Sequence, residues 1–222
     1  GDRAIIYFAG HGDVEKKDSI ARGYMLAHDS PFNNYHLNAI SVQDLDEIIQ
    51  TLSVKKGVEV VLISDACRSG NLAGNQFNGA NLTAEEMAKF DENSILIMSC
   101  QPEQLSEEGR QWGGGRGAFS YHLINGWVGM ADKLPKDKKV RLLELDVYLK
   151  QEVPLSTDQQ LPKIEGNRME ELGRVDVDVL EFVLKASDRS SSLLEYDIES
   201  ELSSDDESDS LSLVYENKML TA

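Results

Sequence analysis

The sequence predicts an α/β chain: a mostly parallel sheet with helices on both faces, forming a three-layer α/β/α sandwich, followed by an acidic tail. Three observations carry this. Short runs rich in Val and Ile, at Ala4–Ala9, Val58–Ser64 and Ser94–Ser99, are apolar at nearly every position, and strands of that kind are covered on both faces. Stretches with helical spacing separate them, the alternation that builds a parallel sheet. The 37 residues Ala186–Ala222 hold ten acids and ten serines against Arg189 and Lys218, too few apolar side chains to offset the entropy of ordering a backbone. Residues 1–185 therefore read as one domain and residues 186–222 as a disordered tail.

Taken in order, Ala4–Ala9 is the first strand. Val42, Leu45, Ile48, Ile49 and Leu52 then fall on one helical face, with Ser41 as the N-cap, Asp44 three residues on, and Lys55-Lys56-Gly57 at the end. Val58–Ser64 is the second strand, Thr83–Phe90 a short helix and Ser94–Ser99 the third strand. Glu107–Gly117, with Gly113-Gly114-Gly115, is too glycine-rich to be regular and reads as a mobile loop. Gly117–Met130 and Leu142–Val153 are helices, the second closed by Pro154. Val175, Val177 and Val179 alternate with Asp176 and Asp178, the pattern of a half-exposed strand or hairpin arm. In the tail, Leu193-Leu194 and Leu211–Val214 are small apolar clusters able to dock on a partner, and the serines among acids are phosphorylation candidates; plain solubilisation accounts for the tail more simply.

Composition excludes several functions. With 222 residues, 41% apolar and 27% charged, the chain is of soluble globular type, and no apolar run reaches the roughly 18 residues of a membrane span. A net charge of −17 argues against nucleic acid and anionic membranes as partners. Two cysteines, Cys67 and Cys100, make no disulfide framework, and no Cys/His cluster has zinc spacing, so no metal site is expected and a reducing compartment, the cytoplasm, is the default.

Ligands of open parallel sheets bind beyond the carboxyl ends of the strands. The first strand runs into Gly10-His11-Gly12-Asp13, the second into Asp65-Ala66-Cys67-Arg68-Ser69-Gly70 and the third into Ser99-Cys100-Gln101-Pro102. A His and a Cys thus emerge at one edge, on strands that stand about 4.8 Å apart if adjacent. A free thiol, with a pKa near 8.5, is a poor nucleophile; an imidazole beside it withdraws the proton and later delivers one to the leaving amine. His11 and Cys67 are the candidate dyad. Gly12 lets a backbone N–H approach a substrate closely and, with the Cys67 N–H, hold an oxyanion, each such donor contributing about 3 kcal/mol. Cys100 at the end of a buried strand reads as a small core hydrophobe. Cys67, crowded by Asp65, Arg68 and Ser69, is poorly placed for inert packing. His28, His36 and His122 read as surface or satisfied core residues, with His28 or His36 the substitutes if His11 points away.

Ile5–Asp13, Val60–Gly70 and Gly117-Ala118-Phe119-Ser120-Tyr121 together resemble the caspase-like cysteine peptidases, the group of caspases, metacaspases and bacterial paracaspase-type proteins, over roughly residues 3–170. A hydrophobic strand with Gly-His-Gly, followed about 55 residues later by a hydrophobic strand with Asp-Ala-Cys-Arg-Ser-Gly, is specific. The resemblance implies peptide-bond hydrolysis through a thioester, with His11 as general base and acid, Cys67 as nucleophile, and the Gly12 and Cys67 amides on the oxyanion. Metacaspase-like members place an acid two residues before the nucleophile at the floor of the S1 pocket. Asp65 matches that position, and Ser99 matches a serine that lines it. A carboxylate and a P1 guanidinium at about 4 Å attract by roughly 4 kcal/mol at an effective dielectric near 20, before desolvation, which favours Arg or Lys at P1. Cleavage of the chain itself is then expected at Arg110 or Arg116, or at Lys16, Lys17 or Arg22.

Alternatives remain open. One alternative reading of Asp65 is a carboxylate that only caps loop amides. Caspases proper bind an acidic P1 through arginines, for which Arg68, Arg110 and Arg116 are candidates. A catalytically silent caspase-like scaffold is the rival from another class. A flavodoxin-like phosphate binder is weaker, since no Gly-rich phosphate loop follows the first strand. Family members carry another strand and helix before the His-bearing strand, so the sheet reads as truncated, to be completed by a missing N-terminal segment or a second chain. Some metacaspases need calcium, but their acidic cluster does not align onto this chain, so calcium activation is left unsupported and no cofactor is expected.

Overall fold

The computed structural model describes residues 1–17, 20–32, 34–68, 94–101, 104–133 and 135–186, with the backbone alone at residues 16, 17, 20, 21, 67 and 68. The expected helix Thr83–Phe90 and the tail from residue 187 lie outside the described residues. In chain order the strands are β1 (Arg3–Lys17), β2 (Ile20–Leu26), β3 (Ile40–Ser41), β4 (Glu59–Arg68), β5 (Ser94–Met98), β6 (Glu108–Gly109), β7 (Arg116–Gly117), β8 (Lys139–Arg141), β9 (Lys163–Glu165) and β10 (Glu171–Arg174). The α-helices are α1 (Val42–Gln50), α2 (Ala118–Asn125), α3 (Leu142–Ser156) and α4 (residues 177–186).

Among the described residues six strands form one sheet in the order β3-β2-β1-β4-β5-β9. Its centre, β1-β4-β5, is parallel, and β2, β3 and β9 add antiparallel edges. Alternate residues of the central strands face opposite layers. Val60, Leu62, Leu96 and Met98 pack with Val42, Leu45 and Ile49 of α1, whereas Val61, Ile63, Ile95 and Ile97 pack with Phe119 and Leu123 of α2 and Leu145 and Leu149 of α3. The fold is the three-layer α/β/α sandwich that continuous apolar strands require.

Ser41 is the N-cap of α1, its Oγ accepting the Asp44 N–H at 3.0 Å. Ile48, expected on the buried face, is half-exposed, because Val42, Leu45 and Ile49 alone complete the stripe. The helix loosens into a wider turn over Thr51–Lys55. Pro154 lies inside α3 and does not end it. Its missing N–H removes one bond from the last turn, and the Ser156 and Thr157 hydroxyls donate to the Val153 carbonyl there, at 3.1 and 2.8 Å.

Four expectations need correction. First, Gly10-His11-Gly12-Asp13 is not a loop: β1 continues to Lys17 because β2 turns back and pairs from His11↔Leu26 to Lys17↔Ile20, which gives the motif backbone partners. Likewise β4 runs on to Arg68, beyond the last β5 pairing at Ser64↔Met98.

Second, the glycine-rich stretch is a regular hairpin, β6-β7. Gly113, Gly114 and Gly115 take φ of 61°, 86° and 125°, the left-handed side that glycine enters without steric penalty. Trp112 anchors the turn at 5% exposure.

Third, residues 177–186 are helical where alternation suggested a strand. Asp176 Oδ1 accepts the N–H groups of Asp178 and Val179 at 3.0 and 3.2 Å, an N-cap arrangement, and Leu180, Val183 and Leu184 are the partly buried residues, at helical spacing.

Fourth, among the described residues β1 is covered on one face only. Ile6 and Phe8 pack on the α1 side, but Ile5 and Tyr7 are 56% and 51% exposed. They line an apolar groove of about 390 Å³ with Ile63, Leu123, Ile124 and Trp127. Residues 4–10 of β1 also have no strand partner opposite β4 among the described residues, since β2 reaches only to His11.

Candidate active site

The site is built where β1 and β4 run on together past the end of β5. Their parallel register pairs Ala9 with Asp65, Gly10 with Ala66, His11 with Cys67 and Gly12 with Arg68. His11 is solvent-exposed and stands one strand spacing, about 4.8 Å, from its partner Cys67 in the backbone. Gly12 is buried in the ladder between Met25 of β2 and Arg68 of β4. The next residue, Asp13, pins this part of β1. Its Oδ1 accepts the Val14 N–H at 2.8 Å and its Oδ2 accepts the Tyr35 hydroxyl at 2.6 Å. Burial first, and then the hydrogen bond to Asp13, push Tyr35 well above the usual phenol range, so it stays a donor.

Asp65, two residues before Cys67, is 7% exposed and carries a hydrogen-bond network. Its Oδ1 accepts the Ser106 hydroxyl at 2.7 Å and its Oδ2 the Ser120 hydroxyl of α2. The Tyr7 hydroxyl bonds Ser120 Oγ at 2.7 Å. Gln160, fully buried, donates through Nε2 to the Ser99 carbonyl at 2.9 Å and to Ser106 Oγ at 3.2 Å, while its Oε1 accepts the Glu107 N–H at 2.9 Å. Gly117, the N-cap of α2, is needed for this closeness: a Cβ there would sit 2.5 Å from Asp65 Oδ2.

The structure therefore brings His11, Gly12 and Cys67 into register on neighbouring strands, with Asp65 on the same strand as Cys67. Ser99 is 2% exposed and joins the network through its carbonyl; its hydroxyl faces Cys100 Sγ at 3.8 Å. Cys100 is half-buried, with Sγ donating to the Gln104 carbonyl at 3.4 Å. Arg110 and Arg116 are exposed on the β6-β7 segment, the Arg116 side chain lying over Gly113. Arg68 is described by its backbone alone, and Ser69 and Gly70 lie outside the described residues.

His28 and His36 are exposed, His36 lying 4.0 Å from Glu15. His122 is buried, with Nε2 bonded to Ser156 Oγ at 2.9 Å. Among the described residues no cluster of three His, Cys, Asp or Glu side chains is arranged to hold a metal ion, and no helix is long and apolar enough to cross a membrane.

Sequence reasoning missed Tyr7, Ser106, Ser120 and Gln160. Ser120 lies in the matched Gly117–Tyr121 stretch and had a signal; Tyr7 was hidden inside an apolar run. Ser106 and Gln160 had none, being ordinary polar residues in segments that only the tertiary fold joins.

The family model described as the caspase domain matches residues 1–172, and the chain belongs to that family of cysteine peptidases. A search of curated proteins finds none that matches it.

Proposed function

We propose that the chain is an endopeptidase that hydrolyses peptide bonds through Cys67 and His11, cutting after Arg or Lys. The observation that carries this reading is the parallel register pairing His11 with Cys67 on adjacent strands, since a register pair shares one face of a sheet, as proton transfer between thiol and imidazole requires. His11 takes the thiol proton, and the Cys67 sulfur attacks the carbonyl carbon of the scissile bond. The resulting oxyanion is held by the amides assigned to it, those of Gly12 and Cys67. Protonated His11 then delivers its proton to the leaving amine, leaving a thioester. Water, deprotonated by His11, hydrolyses the thioester and restores both groups.

Asp65 supplies the preference at P1. It is a buried carboxylate that accepts two neutral hydroxyl donors, and among the described residues no cation pairs with it. A P1 guanidinium or ammonium compensates that charge, whereas an acidic P1 meets repulsion. Ser99 lines the same pocket from the end of β5. The open edge of β1 beside an apolar groove supports completion of the sheet by a further strand, from a preceding segment or a second chain.

The test is hydrolysis of short fluorogenic peptides carrying Arg, Lys or Asp at P1. Arg and Lys peptides are expected to be cleaved, and Cys67→Ala and His11→Ala to lower kcat/KM by about 10³-fold or more. Cleavage after Asp would overturn the assigned specificity. Cleavage that survives Cys67→Ala would overturn the nucleophile, and no cleavage by the wild type would leave a silent scaffold.

A further inference from the structure

We propose that Ser106 and Ser120 are positioning residues for Asp65 that set how the P1 cation is bound; this rests on the reading of Asp65 as the P1 acceptor. A serine hydroxyl has one hydrogen to give. Ser120 gives it to Asp65 Oδ2, so the Tyr7 hydroxyl must be the donor in its 2.7 Å contact with Ser120 Oγ. On the other side Gln160 Nε2 uses one hydrogen on the Ser99 carbonyl and the other on Ser106 Oγ, while its Oε1 is held by the Glu107 N–H. A flipped amide would lose the bonds to the Ser99 carbonyl and the Glu107 N–H. Ser106 is thereby left to donate to Asp65 Oδ1 at 2.7 Å.

Two relays thus run inward, Tyr7 to Ser120 and Gln160 to Ser106, and end on different oxygens of one carboxylate. The donors come from α2 and from the segment before β6, so the plane of Asp65 is fixed by elements that are remote in sequence. A carboxylate has about four acceptor positions. One on each oxygen is used by a serine, the other two are not taken by these hydroxyls, and Gly117 adds no side chain that would crowd Oδ2. A network that only satisfied a buried charge would be served as well by a lysine or arginine. Neutral hydroxyls orient the carboxylate and leave its charge uncompensated.

The experiment compares Ser106→Ala, Ser120→Ala and Ser120→Thr with the wild type on Arg and Lys peptides. Each alanine variant is expected to raise KM by about tenfold, the size of one hydrogen bond to a charged group, with kcat nearly unchanged, and Ser120→Thr is expected to restore KM. The Arg to Lys preference should shift as well, because a planar guanidinium is more sensitive to carboxylate orientation than an ammonium.

Calorimetric titration of benzamidine into Cys67→Ala protein, with and without the serine substitutions, gives a readout free of turnover, and the same loss of affinity is expected there. Lower thermal stability with unchanged KM and unchanged benzamidine binding would overturn the proposal. Asp65→Asn separates it from the reading beneath it. If Asp65→Asn leaves Arg cleavage and benzamidine binding intact, the P1 assignment itself fails; if Asp65→Asn abolishes both while the serine variants change neither, only the positioning role fails.

Discussion

Two buried side chains of opposite chemistry are tied to α2, Asp65 through Ser120 and His122 as one of its own residues. Asp65 is held by hydroxyl donors, whereas His122 has a single partner, Ser156, and a buried Nδ1 with none. Burial lowers the His122 pKa, with Glu152 opposing weakly. A histidine whose folded pKa lies below its unfolded value of about 6.5 stays neutral in the native state. The stability linked to it is therefore complete above that value and is lost as pH falls below 6.5. Urea midpoints measured from pH 7.5 down to pH 5 should fall for the wild type, and His122→Gln, which keeps a partner for Ser156 and cannot take a proton, should flatten that limb. An equally steep fall in His122→Gln would assign the loss to other groups. His11, by contrast, is exposed.

At the scale of elements, α2 does two things at once. Its N-terminus brings Gly117 and Ser120 to Asp65, and its inner face buries Phe119 and Leu123 against Ile63 and Leu145. Phe119 is fully buried, so Phe119→Ala removes a large side chain and leaves a cavity, an expected cost of about 3–5 kcal/mol in urea unfolding. Because the helix also carries Ser120, kcat/KM should fall even under conditions where the variant is folded; unaltered kinetics would mean that α2 is not what holds the site. The strands are the other half of the device. β1 and β4 extend beyond β5, and it is this shared extension that puts His11 and Cys67 on one register line. Strand patterning read the cores of β1 and β4 correctly and ended both too early, since their continuation depends on the antiparallel return of β2 and on each other, not on local hydrophobicity.

Among the described residues the sheet ends at β9 on one side and is open along the first half of β1. Ile5 and Tyr7, both more than half exposed, face a largely apolar groove, next to strand backbone that has no partner opposite β4 among the described residues. Exposed apolar edges promote self-association. The chain by itself is expected to bind a hydrophobic dye and to elute larger than a monomer. Ile5→Lys should reduce both while changing unfolding stability by less than about 1 kcal/mol. A wild type that runs as a clean monomer with no dye binding would show that this edge is covered in solution.

The sequence alone determined the layer architecture, the order of the main strands and helices, and the His-Gly and Asp-Ala-Cys motifs. These depend on residue spacing, which short-range sterics and burial translate directly into strands and helices. Capping by Ser41 and the turn at Gly57 were legible for the same reason. The acidic alternation around Val177 misled because an Asp able to cap a helix looks, over five residues, like the polar half of a strand. Only the tertiary structure decided the register that pairs His11 with Cys67, the exposure of one face of β1, and the joining of Tyr7, Ser120, Ser106 and Gln160 around Asp65. Those residues lie as far as 153 positions apart in the chain, and a hydrogen bond between two such groups depends on where every intervening element packs, which no local pattern encodes.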